Sequence, residues 1–237
     1  MKNDTVEPVP GNLILIDKPK DYTSARVVNI IKKKLNIKKA GHSGTLDPKA
    51  SGLMIICTGK KTKMLGEMIL YDKEYEGEMV LGESTPSFDS ETEVCKTRST
   101  DNISGDRILS VANSLKGEIE QIPPMYSAIK HKGKPLYKYA RKNKEVERTP
   151  RKIFIKEFEI RRIDLPVVWF KVSCSKGTYI RTLVNDFGEM LGTGAYLKEL
   201  RRTRIGPFDV KDAFKLDDFL SANFTNNLYG EILVHTC

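Results

Sequence analysis

Three observations predict an α+β fold with a mixed, largely antiparallel central sheet and flanking helices. Strand-like segments outnumber helical ones, they follow no regular β-α-β rhythm, and no internal repeat at a solenoid period appears. The chain of 237 residues, 39% hydrophobic and 30% charged, is long enough for one large core or two small ones.

A first strand is read in Asn12 to Ile16, an apolar run stopped by Lys18-Pro19. Ser24 is placed as the N-cap of a helix through Val27, Val28, Ile31 and Leu35, whose spacing gives one apolar stripe. Gly52 to Cys57 reads as a short apolar strand and Lys60 to Leu70 as a helix. Tyr75, Gly77, Met79 and Leu81 alternate with Glu74, Glu76, Glu78 and Val80, which predicts a half-buried strand with Tyr75 on its inner face. Ser84 to Gly105, rich in Ser, Thr and Asp, reads as a long loop before a helix near Arg107 to Leu115. Phe154 to Ile160 and Val168 to Cys174 are expected to pair antiparallel through Asp164-Leu165-Pro166. Ile180, Leu183, Val184, Phe187, Met190 and Leu191 form one face of a helix that Gly192 and Gly194 end. The last strand runs from Ala195 to Ile205 and closes at Gly206-Pro207.

The formal charge is +9, and its distribution says more than its size. Arg26 to Ala40 holds six basic residues and no acid; Lys130 to Lys152 is net +8; Lys198 to Arg204 is net +3. These three stretches carry +17, so the remainder is −8. A solvated lysine face explains the first stretch on its own. In the second, Tyr137 and Tyr139 are interleaved with the cations and Tyr126 stands just before them, and that mixture of phosphate-neutralising and base-stacking groups fits an RNA or single-stranded partner.

Several functions are excluded. No run approaches the ~18 apolar residues of a membrane span. Met1 to Pro10 is polar and without a signal-peptide core, so a cytoplasmic address is expected. The four cysteines show no C-x-x-C pairing and the three histidines are far apart, so no metal is expected. Gly52 and Gly59-Lys60 are spaced wrongly for a phosphate-binding loop, and Gly192-Thr193-Gly194 lacks the third glycine of a dinucleotide fingerprint; no nucleotide cofactor is expected.

The stretch Gly41-His42-Ser43-Gly44-Thr45-Leu46-Asp47-Pro48-Lys49-Ala50-Ser51-Gly52 is the most constrained-looking in the chain. Its glycines allow tight turns, and Pro48 stiffens the backbone just after Asp47, at the mouth of a strand. Continued to Lys63, it closely resembles the signature of the bacterial tRNA pseudouridine synthases that modify uridine 55 in the T arm, the TruB-type family. Further matching runs are Leu13 to Pro19, Asp72 to Tyr75, Gln121 to Lys130, Cys174 to Thr182 and Leu200-Arg201-Arg202, so the resemblance reaches about Pro207.

The resemblance implies the pseudouridine synthase fold and a reaction without cofactor or metal. Asp47 matches the catalytic aspartate, with attack on the sugar and a glycal route both open. Arg181 matches the arginine that pairs with that aspartate, and Tyr75 the tyrosine that stacks on the target uracil. Tyr179 and Leu200 match positions lining the uracil pocket. His42 matches the histidine inserted into the RNA loop beside the flipped base. Lys18 matches a lysine supporting the active-site loop. The basic segment matches a thumb insertion, about 122–152, that folds over the T arm, with Tyr126, Lys130, Lys132, Lys134, Lys138 and Arg141 as its RNA-binding residues. Where the family motif has Gly, this chain has Asp21, a change expected to affect a turn.

The implied organisation is a catalytic domain over 1–210 and a short tail over 211–237 without the RNA-binding PUA domain of many members. The implied partner is the tRNA T stem-loop, with a monomer expected. Two alternatives remain: a tRNA-binding or folding module, which an intact Asp47, Tyr75 and Arg181 set disfavours, and a guide-RNA-dependent rRNA or tRNA pseudouridine synthase, which depends on its PUA domain.

Overall fold

A computed structural model describes residues 11–142, 144–222 and the backbone of 232–233. His235, Cys237 and the amino-terminal decapeptide on which the absence of a leader was argued lie outside these residues. In chain order, β1 (Leu13–Lys18) and α1 (Ser24–Lys34) precede β2 (Ala40–His42) and β3 (Ser51–Thr58). A 3₁₀ turn (Gly59–Met64) and α2 (Leu65–Met68) lead to β4 (Lys73–Leu81). The short β5 (Glu83–Ser84) and β6 (Lys96–Thr97) come before α3 (Gly105–Ser114) and β7 (Gly117–Gln121). A hairpin of β8 (Lys130–His131) and β9 (Lys134–Pro135) is followed by α4 (Tyr137–Ala140). Then come β10 (Arg151–Asp164), β11 (Val167–Cys174), α5 (Ile180–Leu191) and β12 (Ala195–Ile205). The remaining elements are β13 (Phe208–Asp209), β14 (Phe214–Lys215), α6 (Leu216–Ser221) and β15 (Ile232–Leu233).

The chain divides into two compact units, Met1–Lys73 with Arg201–Cys237, and Glu74–Leu200. In the first, β1 runs antiparallel to β3 from Leu13↔Cys57 to Lys18↔Gly52, and β3 takes the end of β12 in parallel at Arg201↔Ser51. Alternation along these strands puts Leu13, Leu15, Leu53, Ile55 and Cys57 into one core with Met68 and Ile205. Each such side chain removed from water contributes about 1.5–3 kcal/mol. In the second unit, β10 pairs antiparallel with both β7 and β11, and β4 lies between β11 and the first half of β12. Phe158, Phe170 and Phe187 pack there with ring centroids 5.6 and 5.7 Å apart. Mixed pairing and a majority of antiparallel ladders give the predicted fold class.

Several elements match the sequence reading closely. The helix ending at Gly192, in a left-handed conformation at φ 82°, and the strand Ala195–Ile205 lie where the pattern put them. Tyr75 is buried on the inner face of β4. Cys57 and Cys174 are buried free thiols and Cys95 an exposed one.

Three readings are corrected. Thr23, not Ser24, caps α1 by accepting from the Arg26 amide, because Ser24 is drawn into a tertiary contact described below. Lys60 to Leu70 is not one helix. The Thr62 hydroxyl donates to the Gly59 carbonyl at 2.8 Å and Gly66 weakens the helical interior, so a 3₁₀ turn and a single α turn form instead. Ser84 to Gly105 is not featureless: β5 and β6 pair within it, and Thr85, Ser87 and Asp89 are buried.

Candidate active site

In the first unit, the turn Asp47-Pro48-Lys49-Ala50 closes with the Ala50 amide donating to the Asp47 carbonyl at 3.1 Å. Pro48 presets the second turn position, so the half-buried Asp47 carboxylate stands on a stiff corner. Three groups fasten that corner. The Ser24 hydroxyl donates to the Leu46 carbonyl at 3.0 Å and accepts from the Leu46 amide at 2.8 Å. The Lys18 ammonium, fully buried, donates to the carbonyls of Pro19 at 2.9 Å, Tyr22 at 2.8 Å and Pro48 at 3.4 Å. Arg202, 1% exposed, donates from Nε to the Leu53 carbonyl at 2.8 Å and from Nη2 to the Gly44 carbonyl at 3.2 Å. One guanidinium therefore ties both ends of the loop that carries Asp47.

Close approach explains the glycine after this loop. Gly52 has φ +105°, and a Cβ there would stand 2.3 Å from the Arg202 carbonyl oxygen. Beside it, Arg201 forms a two-pronged pair with Asp17, at 3.0 and 2.6 Å. Asp21 occupies a left-handed turn at φ 64°; its amide donates to the Pro48 carbonyl and its carboxylate accepts from Lys49 at 2.8 Å. The departure at position 21 thus falls on a turn that abuts the Asp47 corner.

Burial pushes the Lys18 amine down from 10.5 to about 8, against the attraction of Asp47 and together with repulsion from Arg202. Between those two values the unfolded chain holds more of this proton than the folded one, so the Lys18 contribution to stability rises with pH across about 8–10.5. Relative to a Lys18→Met variant, the wild type is expected to gain stability over that window in urea titrations. A gap that stays constant from pH 8 to pH 10 contradicts the burial of a charged amine there.

His42 ends β2, and its Nδ1 accepts from the Gly44 amide at 3.3 Å. Burial, with the Arg202 guanidinium nearby, lowers its pKa, so the ring is neutral near pH 7 with Nε2 as its donor.

In the second unit, Tyr179 is the residue before α5, and Gln121 fixes it by donating to its carbonyl at 3.1 Å and accepting from its amide at 2.8 Å. Arg181, in the first turn of α5, is buried with its guanidinium carbon 5.8 Å from the Tyr179 ring centre. Its Nη1 lies 3.9 Å from a carboxylate oxygen of Asp89, both side chains being 6% exposed or less. The Ser87 hydroxyl donates to Asp89 at 2.6 Å and the Glu91 amide at 3.0 Å, so this carboxylate is preset toward the arginine. Tyr75 and Leu200 sit on the neighbouring strands β4 and β12, which approach so closely at Gly77 that a Cβ there would stand 2.8 Å from the Glu199 carbonyl.

Residues 122–150 lie between β7 and β10. Lys130, Lys132, Lys134, Lys138 and Arg141 are exposed there, and Tyr126 is half-buried. The Tyr139 hydroxyl donates to the His131 carbonyl, their rings meet edge to face at 5.9 Å, and Arg141 lies over Tyr137 and pairs with Glu91. This insertion borders a cavity of about 220 Å³ whose polar lining includes Lys130, His131, Glu147, Arg148 and Arg151. Lys18, His42 and Asp47 thus belong to the first unit, and Tyr75, Tyr179, Arg181, Leu200 and the basic insertion to the second. Sequence reasoning missed Ser24 as a loop anchor, Asp89, Gln121 and the burial of Arg202. For Asp89 the available signal was one acid among the hydroxyls of a polar stretch.

A family model of TruB family pseudouridylate synthase (N terminal domain) matches residues 32–180, and one of the tRNA pseudouridylate synthase B C-terminal domain matches residues 181–233. The chain belongs to the TruB family of pseudouridylate synthases. This TruB-family chain is 48% identical to tRNA pseudouridine synthase B of Clostridium tetani over 90% of its own length and 74% of the relative's. It is 46% identical to the Flavobacterium johnsoniae protein of that name, over 90% and 96%. Among solved structures, a chain of a Cbf5-Nop10-Gar1 complex superposes with a TM-score of 0.69 at 35% identity, over 88% of this chain and 53% of the other. A chain of an H/ACA RNP bound to a substrate RNA containing 2′-deoxyuridine gives 0.66 at 32%. The TruB-family chain spans about half the length of those two.

Proposed function

We propose that this TruB-family chain converts uridine to pseudouridine in tRNA, at position 55 of the T loop. The N1–C1′ bond breaks, the uracil turns while held, C5 bonds to C1′, and the proton leaves C5 as N1 gains one. Nothing is oxidised or reduced. The supporting observation is the Asp47 corner, fixed by Lys18, Ser24 and Arg202, in a chain 48% identical to a protein named tRNA pseudouridine synthase B. Asp47 supplies the carboxylate at C1′, as nucleophile or as the countercharge that starts a glycal route. Arg181, backed by Asp89, keeps that carboxylate ionised and oriented. Tyr75 stacks on the uracil, Tyr179 and Leu200 line its pocket, and neutral His42 fills the place of the extruded base. Residues 1–210 form the catalytic part, acting as a monomer in the cytoplasm where tRNA is modified. A guide-RNA-dependent role is less supported, since the solved relatives are 32–35% identical and are longer chains, of which the match covers 52–53%.

The test is release of tritium from C5-labelled uridine in an unmodified tRNA transcript, without ATP or added metal. Stoichiometric release of one tritium per tRNA is expected; no release at any salt concentration rules the activity out. Neutralising Lys132, Lys134 and Lys138 is expected to weaken tRNA binding and reduce the steepness of its salt dependence by about 1 per lost phosphate contact. An unchanged slope would make the insertion a solvated face.

A further inference from the structure

We propose that Gln121 is a positioning residue for the reaction: its side-chain amide sets Tyr179 against the uracil and thereby governs the chemical step, although it stands at the root of the basic insertion. The proposal rests on the reading of Tyr179 as a wall of the uracil pocket, and adds to that pocket the group that holds the wall.

Gln121 is the last residue of β7, an outermost strand of the sheet, and the one residue of that strand that is buried, at 2% exposure. A primary amide taken out of water costs free energy unless both its ends are bonded. Here both ends meet one residue: Oε1 accepts from the Tyr179 amide at 2.8 Å and Nε2 donates to the Tyr179 carbonyl at 3.1 Å. Turning the side-chain amide over would face donor to donor and acceptor to acceptor, so one orientation alone fits. The pattern is that of two antiparallel strands exchanging a pair of bonds, with a side chain in place of the second backbone.

Tyr179 needs such a partner from outside its own helix. It precedes α5, and the turn that leads to it exposes Lys176 and Gly177, the glycine being left-handed at φ 80°. Helices often tie down the capping residue with a Glu or Gln three positions on, whose side chain reaches back to the cap amide. In α5 that position holds Thr182, whose side chain is too short, and Gln121 supplies the bond from 58 positions away. Holding both the N–H and the C=O of residue 179 fixes its rotation about the chain, and with it the direction in which the ring leaves the backbone. The ring is half-buried, with the Arg181 guanidinium carbon 5.8 Å from its centre. A wall fixed in advance costs no ordering when the base reacts.

Gln121 also faces Arg151 in the last pair of the β7–β10 ladder, and residues 122–150 leave from this point. Two roles are therefore separable. An anchor of the insertion governs how tightly RNA is held, whereas an anchor of Tyr179 governs how fast held RNA reacts.

The experiment measures binding of a C5-tritiated T stem-loop RNA and its single-turnover tritium release at saturating protein, per folded molecule by urea titration. It compares wild type, Gln121→Met, Gln121→Asn, Tyr179→Ala and the double variant Gln121→Met with Tyr179→Ala. Met keeps the length without the bonds; Asn keeps the amide but is one C–C bond, about 1.5 Å, too short, and decides the case where the Met variant does not fold. Both Gln121 variants are expected to release tritium about 10- to 100-fold more slowly, with RNA affinity within about threefold of wild type. In the Tyr179→Ala background, Gln121→Met is expected to cost less than about threefold more, because the ring it would misplace is gone. A wild-type rate in either folded Gln121 variant overturns the proposal. So does weakened binding with an unchanged rate at saturation, which would make Gln121 a root of the insertion only. Losses that multiply in the double variant also overturn it, since Gln121 would then act through some other group. A wild-type protein that releases no tritium overturns the proposed activity and this role with it, whereas equal release by wild type and the Gln121 variants overturns this role alone.

Discussion

Asp47→Asn is expected to abolish pseudouridine formation while leaving the fold and tRNA binding in place. The substitution is isosteric, and the corner is held through the Asp47, Leu46 and Pro48 backbone by Ala50, Ser24 and Lys18. An amide keeps the shape but neither attacks C1′ nor offsets positive charge developing there. The rate of tritium release should fall by on the order of 10⁴-fold or more, about 5 kcal/mol or more in transition-state stabilisation. Binding of tRNA should change less than about threefold, since the phosphate contacts are untouched. Tritium release within tenfold of wild type would remove Asp47 from the chemistry and return the Asp-Pro pair to the role of a turn.

The features legible in the sequence share one property: they depend on neighbours close in the chain. Pro48 acts on Asp47, Gly192 on the end of α5, and the alternation around Tyr75 on its own strand. The lysine at position 18 is read as a loop support through the family resemblance alone; in the fold its ammonium donates to the Pro48 carbonyl, thirty residues away. What escaped was long-range. Ser24 has the residue type and position of a cap, and only the packed fold shows its hydroxyl engaged 22 residues away with Leu46 while Thr23 takes the cap. Asp89 is one acid in a polar stretch, and its value comes from Ser87 and Arg181 converging on it. The helix expected over Lys60 to Leu70 failed because local hydrogen bonding at Thr62 outweighed a weak propensity run.

Arg202 carries the second large expectation, because its side chain combines burial, charge and reach in a way that no substitute reproduces. Arg202 sits on β12 opposite Gly52, at the point where the Asp47 loop runs into β3. Its guanidinium bridges 158 and 149 positions back to Gly44 and Leu53, so the loop is closed at both ends by one rigid plane. Arg202→Met removes the donors to two carbonyls in a buried place and is expected to destabilise by about 2–4 kcal/mol, the range for stranding buried acceptors offset by relief of a desolvated charge. Arg202→Lys separates positioning from stability. An ammonium keeps the positive charge, but it cannot span both carbonyls. This variant is expected to lose less stability than Met and still to turn over about 10- to 100-fold more slowly per folded molecule, the penalty for a reacting group displaced by about 1 Å. Urea titration gives the folded fraction and single-turnover tritium release gives the chemical rate. Full single-turnover activity in folded Arg202→Lys would mean that the loop holds Asp47 through Lys18 and Ser24 alone. The guanidinium would then serve stability only, and the closeness of Gly52 to β12 would be a packing constraint instead of a catalytic one.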